Sequence, residues 1–291
     1  MAWRPKDRRP PGIFSRVPEL PEVETIANDL DAAIRRAFIV SVAITRPDVL
    51  REISAPTFRR RLAGKTIERC WRRAKLVVID LSSRDRLVVH LRFTGGLLID
   101  GGDLSPRERQ YSTLEMRFND GRSLHYRDIR RLGTVTLMSP KRFAEYEGAL
   151  GLEPLDPAWT TQAFATRIRA SRQAIKKVLM DQRVVAGIGN IYANEALWRA
   201  GIDPSRAART LATDETAALR EASIQVLTES IANRGTSFRD YRDARGARGE
   251  NAARLDAYGR AGEPCRRCGR RLVGTHAIDG RATVLCVQCQ R

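Results

Sequence analysis

Ordered structure begins at "PELPEVETIANDL", Pro18 to Leu30, where a patternless segment gives way to a periodic one. Residues 1–17 are rich in arginine and proline and have no apolar period, so they predict a disordered leader. From Glu22 to Phe38 apolar side chains recur at helical spacing, at Val23, Ile26, Leu30, Ile34 and Phe38. The sequence therefore predicts that an amphipathic helix opens the first domain.

Strand patterns follow this helix. "KLVVIDL" (75–81) and "RLVVHLRF" (86–93) flank a hairpin-like turn, and apolar residues alternate with polar ones in "STLEMRF" (112–118). "NDG" (119–121) then turns the chain into "RSLHYRD" (122–128). We interpret residues 18–148 as one strand-rich domain, an antiparallel β-sandwich with a leading helix.

The second half of the chain is helical. Residues 149–159 combine glycine and proline without periodicity and predict a linker. Residues 160–257 contain four plausible helices and then a polar, glycine-bearing loop from 239 to 254, which we expect to be mobile. With a cysteine module at 258–291, the prediction is an α+β protein of several domains.

The charge of the chain points to a polyanionic partner. Its 291 residues carry 52 Lys+Arg against 34 Asp+Glu, a formal net charge of +18. Such an excess suggests nucleic acid, or less often an anionic membrane surface; the alternative is a solvated basic surface without a partner. No apolar run is long enough to span a membrane, and the amino terminus lacks the apolar region of a secretory signal.

Four of the five cysteines form the strongest local motif. Cys265 and Cys268 are separated by two residues, as are Cys286 and Cys289. Four thiolates at this spacing suit one tetrahedral zinc, and because sulfur fills every position the ion would be structural. Two disulfides are the alternative. Cys70 remains and is interpreted as a small buried hydrophobe.

Two shorter motifs indicate phosphate contacts. In "GIGN", Gly187 and Gly189 permit a tight turn, and Asn190 stands where a helix N-cap belongs, which together predict a phosphate site at a helix start. An ordinary packing unit between two helices explains the same pattern. Lys75 ends "RRAK" just before a strand and is either a functional lysine or an exposed one at a strand end.

A third motif, "DIRRLG" (128–133), follows a strand. Two arginines beside isoleucine and leucine suit a loop that inserts an apolar wedge and a cation into a DNA duplex, although many surface turns look the same.

Taken together, these motifs resemble one family over residues 18–291. "PELPEVET" (18–25), "HLRFTGGL" (90–97), "YRDIRRLG" (126–133), "VAGIGNIYANEALWRAGIDP" (185–204) and the four-cysteine module occur in the order typical of the bacterial formamidopyrimidine-DNA glycosylases. The related endonuclease VIII branch usually has glycine where Leu20 stands. The resemblance implies a β-sandwich, a helix–two-turns–helix domain and a zinc hairpin, with duplex DNA in the cleft between them.

The resemblance also implies an activity and a set of site residues. The protein would be a bifunctional glycosylase and abasic-site lyase of base excision repair, which flips out 8-oxoguanine or formamidopyrimidines and excises them through an iminium and β,δ-elimination. It would need no nucleotide cofactor and no membrane, act as a monomer, and lie in the bacterial cytoplasm on the nucleoid. The implied residues are Pro18 as nucleophile, Glu19 as acid and base, Glu22 as its support, Lys75, Asn190 and Arg281 on phosphates, His90 and Lys176 on phosphate or lesion, and Phe93, Arg130 and Leu132 in the duplex.

Three departures from the family pattern stand out. The family usually has methionine at Phe93 and phenylalanine at Leu132, so the wedge should change shape, and Asn251 replaces a common aromatic of the lesion loop.

Pro18 is internal in the 291 residues, and an amide nitrogen is not a nucleophile. We expect translation to start at the codon of Val17. Initiation there would insert methionine in place of Val17, and its removal would expose the amine of Pro18. The alternatives are a leader removed by a protease, or one retained in a damage binder without catalysis; the alternative enzyme class is an endonuclease VIII-like glycosylase for oxidised pyrimidines.

Overall fold

The first helix, α1, spans Leu20–Ile34 and begins as its sequence predicts. The computed structural model describes residues 17–238 and 241–291. The predicted leader, apart from Val17, and the first two residues of the polar loop lie outside these ranges. The Glu19 amide donates to the Glu22 carboxylate (2.9 Å), which fixes the first turn of α1. The helix ends before Phe38 because Arg36 takes a φ of +69° and its amide bonds to Ile67.

Two sheets form the first domain. The strands are β1 (Ile39–Ile44), β2 (Leu50–Arg51), β3 (Ile67–Arg73), β4 (Leu76–Leu81), β5 (Arg86–His90), β6 (Gly95–Asp100), β7 (Ser112–Phe118), β8 (Ser123–Asp128) and β9 (Thr134–Met138). Within the described residues one sheet has the order β1-β7-β8-β6 and the other β2-β9-β5-β4-β3. Pairing is antiparallel except between β2 and β9. The predicted sandwich is confirmed.

The apolar run of β4 is explained by burial on both sides of its sheet. Val77 and Ile79 face the main core, where they join α1 and the other sheet. Leu76 and Val78 face the opposite side, where Phe143 of α4 (Pro140–Gly148) covers them. A strand buried on both faces reads as a continuous apolar segment rather than an alternating one. The short helices α2 (Ala55–Leu62) and α3 (Pro106–Gln110) complete the domain.

The second domain packs helices around Trp159, Phe164, Leu179 and Leu197. Its helices are α5 (Thr161–Ile168), α6 (Ile175–Met180), α7 (Asn190–Ala200) and α8 (Thr213–Ala232). Leu20 of α1 belongs to this second core, and its amide donates to the Gly187 carbonyl (3.0 Å). Gly187 has a φ of +93°, and a Cβ there would lie 2.8 Å from Leu20, so a glycine is required where the two domains meet.

A small hairpin ends the chain. Strands β10 (Val273–Thr275) and β11 (Thr283–Leu285) pair antiparallel, and the Val284 amide donates to Asn194 of α7 (2.8 Å). This contact fixes the hairpin on the same helix that follows the glycine turn. None of the helices in the described residues combines the length and apolar character that a membrane crossing requires.

Candidate active site

The Glu19 carboxylate occupies the amino terminus of α7. It accepts hydrogen bonds from the amides of Gly189 (2.8 Å), Ile191 (3.0 Å) and Tyr192 (3.4 Å). These amides have no partner inside the helix, and the helix dipole favours a negative charge beside them. A carboxylate from the other domain therefore takes three amides at the helix start where the sequence suggested a phosphate.

Asn190 is not the N-cap that the sequence suggests. Gly189 precedes the helix in an extended conformation, and Asn190 is the first helical residue. The Asn190 side-chain amide instead donates to the Ala282 carbonyl of the terminal hairpin (3.1 Å). Glu19 caps the helix instead. Asn190 connects the hairpin to the start of the helix. The expected contact of Asn190 with DNA stays a prediction.

Glu19 and Lys75 converge on the Cα of Gly189. A Cβ added to Gly189 would lie 2.5 Å from Glu19 Oε1 and 2.6 Å from Lys75 Nζ. Burial raises the pKa of Glu19, although the Lys75 charge and the three amides oppose it. Burial lowers the pKa of Lys75, the Glu19 charge opposes this, and Arg281 lowers that pKa further. Burial thus disfavours the charged form of both groups, while their mutual attraction favours it.

Glu22 is the centre of a buried network that sequence reasoning found only in part. Its carboxylate accepts from the Tyr192 hydroxyl (2.5 Å) and the Thr236 amide (2.7 Å) as well as from the Glu19 amide. Ser230 bonds the same hydroxyl (2.5 Å). Burial raises the pKa of Glu22 to about 7. Tyr192, Ser230 and Thr236 come from three segments of the second domain, and only Tyr192 lies in one of the quoted motifs.

A cavity of about 250 Å³ opens beside Glu19 and Lys75. Pro18 lies buried between two residues that line it, Val17 and Glu19. The lining brings together predicted site residues from both domains and the hairpin: Glu19, Lys75, His90, Asn190 and Arg281. It also contains Arg92, which the sequence did not single out. Burial, with Arg92 and Lys75 nearby, lowers the pKa of His90 to about 4, so this histidine is neutral at physiological pH.

Lys176 lies inside the protein. It is fully buried, and its ammonium donates to the Ala282 carbonyl (2.8 Å) and the Thr283 hydroxyl (2.7 Å). These bonds fix the start of β11, next to Arg281, whose side chain is 58% exposed. Lys176 therefore holds the hairpin that presents Arg281, and its own expected contact with DNA stays a prediction.

Four cysteines of the hairpin module form a metal site. The sulfurs of Cys265, Cys268, Cys286 and Cys289 all lie within 4.8 Å of one another. A tetrahedral zinc with bonds of about 2.3 Å needs sulfurs roughly 3.8 Å apart, so the four residues fit one ion. The cysteines are free thiols rather than disulfides. One zinc, held by sulfur alone, serves the structure of this module, and Cys70 is buried in the first domain as expected.

The residues predicted to enter the duplex lie in two connecting segments of the first domain. Phe93 precedes β6, and Arg130 and Leu132 lie between β8 and β9. The Arg130 guanidinium stands over the Phe93 ring at 5.3 Å, and Leu132 is 43% exposed. Asp128 braces this loop: it accepts from the Thr94 hydroxyl (2.5 Å) and the Gly133 amide (2.8 Å). The bracing aspartate was missed because its partner Thr94, just before β6, is distant in sequence.

Asn251 does not face the cavity. It is buried at the start of a short 3-10 turn, and its side-chain amide donates to the Thr236 hydroxyl (3.0 Å). Thr236 also bonds Tyr192, so the polar residue that replaces a common aromatic extends the Glu22 network.

Two protein-family models match the chain. The model of the formamidopyrimidine-DNA glycosylase N-terminal domain matches residues 17–135, and that of the formamidopyrimidine-DNA glycosylase H2TH domain matches residues 150–242. Together they cover the sheet domain and most of the helical domain.

Curated proteins and solved structures agree with these matches. The chain is 45% identical over 260 residues to a formamidopyrimidine-DNA glycosylase of Moorella thermoacetica, covering 88% of this chain and 93% of that protein. It is 41% identical over 278 residues to one of Herpetosiphon aurantiacus, covering 94% and 100%. Wild-type Lactococcus lactis Fpg in complex with N7-benzyl-Fapy-dG containing DNA is similar in structure, with a TM-score of 0.86, 34% identity, and coverage of 94% and 100%.

Proposed function

Because the chain belongs to the formamidopyrimidine-DNA glycosylase family, we propose that its Pro18 nitrogen attacks the sugar of a damaged nucleotide while Glu19 handles the protons. The protein is a DNA glycosylase that removes oxidised purines during base excision repair, and lyase activity on abasic sites is typical of its family. The lesion-bearing duplex is its partner. We place it on the chromosome in the bacterial cytoplasm and expect it to act as a monomer.

One observation carries the assignment of the acid and base. Glu19 follows Pro18 directly, and its carboxylate is held by three amides of α7 beside Lys75. A carboxyl group fixed in this way can deliver a proton to the sugar of a nucleotide bound at Pro18 without moving its own backbone. Its raised pKa keeps more of it protonated near neutral pH than an exposed glutamate would be.

The reaction begins at the Pro18 nitrogen. The Pro18 nitrogen bonds to C1′, and the bond from C1′ to the base breaks, so that the base leaves with its electron pair. The nitrogen, now positively charged, loses its proton, and the departing base takes up one proton. Glu19 then protonates the sugar ring oxygen, the ring opens, and a C1′=N⁺ iminium forms. Loss of a C2′ proton expels the 3′ phosphate, and a second elimination expels the 5′ phosphate. Water finally releases the sugar fragment and regenerates the amine.

This chemistry requires a free secondary amine at Pro18, since an amide nitrogen has no available electron pair. An α-amino group has a pKa of about 7.7–8.0, so a sizeable fraction would be unprotonated near neutral pH. Lys75, Asn190 and Arg281 would bind the phosphates on either side of the flipped nucleotide. His90 and Lys176 would lie close to the same phosphates or the lesion.

Borohydride trapping tests the proposal. The 291-residue chain, with its leader intact by mass spectrometry, is compared with a form that begins at Pro18, each incubated with a duplex containing 8-oxoguanine opposite cytosine. Borohydride reduces an iminium to a stable amine, so only the form that begins at Pro18 should become cross-linked to DNA. Pro18→Gly, which offers a primary amine, should trap less efficiently, and Glu19→Gln should bind the duplex but excise poorly. Equal trapping by the intact longer chain would show that Pro18 is not the nucleophile.

A further inference from the structure

Glu153 lies between the two domains. Its carboxylate accepts hydrogen bonds from three consecutive residues at the end of β3. Its Oε1 accepts from the Ala74 amide (2.6 Å) and the Arg73 guanidinium (2.7 Å), and its Oε2 accepts from the Arg72 guanidinium (2.7 Å). The three side chains are mostly buried, with exposed fractions of 16% for Glu153, 7% for Arg72 and 11% for Arg73. So many charge-assisted bonds on one carboxylate hold it in a single position.

The strand end that Glu153 grips is the turn that carries Lys75. Arg73 pairs with Leu76, so Ala74 and Lys75 alone connect β3 to β4. Ala74 takes a φ of +54°, a left-handed conformation that residues other than glycine seldom adopt. It is also 3% exposed, so its amide needs an acceptor within the protein. The Glu153 carboxylate is that acceptor, and it therefore fixes the turn in an otherwise unfavourable shape.

The backbone beside Glu153 is tied to the helical domain. The Leu152 amide donates to the Val184 carbonyl (3.2 Å), and the Ala186 amide donates to the Leu152 carbonyl (2.8 Å). Three residues beyond Ala186 lies Gly189, whose amide binds Glu19. The segment before α7 thus fixes both charged residues beside Gly189. It holds Glu19 through the Gly189 amide and Lys75 through Glu153.

We propose that Glu153 is a positioning residue for Lys75, whose carboxylate locks the Ala74–Lys75 turn so that the ammonium meets a DNA phosphate. The inference rests on the proposed function, in which Lys75 binds phosphate. Glu153 is not among the residues that line the cavity, and it acts through Lys75 alone.

Removing the Glu153 carboxylate should change DNA affinity in opposite directions under two explanations, one in which Glu153 positions Lys75 and one in which only its charge matters. Removing a carboxylate makes the protein more positive, and charge alone predicts tighter binding and a steeper dependence of log K on log salt. If Glu153 positions Lys75, Glu153→Ala should instead weaken binding and flatten that slope by about one unit, the value for one lost phosphate contact. Glu153→Asp keeps the charge but is too short to reach the Ala74 amide, and it should flatten the slope in the same direction.

The measurement uses the full chain and a duplex with a tetrahydrofuran abasic analogue, which cannot form an iminium. Zinc content and thermal melting confirm that each variant is folded, and Glu153→Asp carries the test should Glu153→Ala not fold. Glu147→Gln is the matched control, because Glu147 also pairs with Arg73 (3.1 Å) but does not contact the turn amide. Since this variant also removes one negative charge but leaves the turn intact, its slope should be equal to or steeper than that of the unmodified protein, and not flatter.

A double variant locates the effect. If Glu153 acts through Lys75, adding Glu153→Ala to Lys75→Met should change the slope no further. A slope unchanged by both Glu153 variants, with Lys75→Met flattened, would overturn the inference and leave the proposed function standing. A slope unchanged by Lys75→Met would overturn both the inference and the phosphate role of Lys75. Additive losses in the double variant would show that Glu153 acts elsewhere.

Discussion

Gly189→Ala should separate the geometry of the acid–base corner from the rest of the fold. Gly189 has a φ of −129° and a ψ of −152°, an extended conformation that alanine adopts without strain. The new Cβ would nevertheless lie 2.5 Å from Glu19 Oε1 and 2.6 Å from Lys75 Nζ, where ordinary contact begins at 3.4 Å. The two charged groups must therefore move, and the backbone of α7 need not.

The size of the effect follows from that displacement. Glu19 must retreat by roughly 1 Å, which stretches or breaks its bonds to the amides of α7, and a misplacement of this size costs about 100-fold in rate. The stability of the protein should fall by only about 1–3 kcal/mol, the usual range for one extra buried methyl group.

Single-turnover excision of 8-oxoguanine, measured with the form that begins at Pro18, checks the expected loss of rate. Thermal unfolding checks the expected loss of stability. Gly96→Ala is the control, since a Cβ at Gly96 meets no atom within 4 Å. Excision by Gly189→Ala within threefold of the unmodified enzyme would refute the argument that Glu19 must sit where the structure places it.

The zinc module, Arg130 and Glu22 can each be tested separately. Cys286→Ser should lose zinc and most DNA binding while the first domain stays folded, because structural zinc contributes about 10–16 kcal/mol in comparable peptides; metal analysis and limited proteolysis check this. Arg130→Ala should blur discrimination between cytosine and adenine opposite the lesion, as relative excision from the two duplexes would show. Burial raises the pKa of Glu22 from 4.5 to about 7, so stability should fall as pH rises through that window, and Glu22→Gln should remove this part of the pH dependence of thermal unfolding.

Local patterns predicted the elements of this fold well. Helix periodicity placed α1 within a few residues of its observed ends, and Lys75 stands just before a strand as expected. The cysteine spacing predicted the four-sulfur cluster because all four ligands belong to one short hairpin. Each of these features depends on residues close together in the sequence, where periodicity and spacing carry the information.

Contacts between the domains could not be predicted in this way. The sequence around Asn190 satisfies the rule for an N-cap, but Glu19, from the opposite end of the chain, takes the amides. Lysine is usually exposed, and only the docked hairpin explains why Lys176 is fully buried. Glu153 stands in a stretch read as a linker, and its three bonds exist only once the sheet domain meets the helical one.

The use of the α7 amino terminus determines how DNA can be held. A helix start is a ready site for phosphate, but here its amides are bonded to Glu19. We therefore expect phosphate binding at this cavity to come mainly from side chains, and Lys75 and Arg281 line it from the sheet domain and the hairpin. Both are fixed through the helical domain, Lys75 by Glu153 and the Arg281 segment by Lys176 and Asn190. Movement of the helical domain would thus displace Glu19, Lys75 and Arg281 together. If these residues have the proposed roles, we expect the relative position of the domains to be a condition for catalysis.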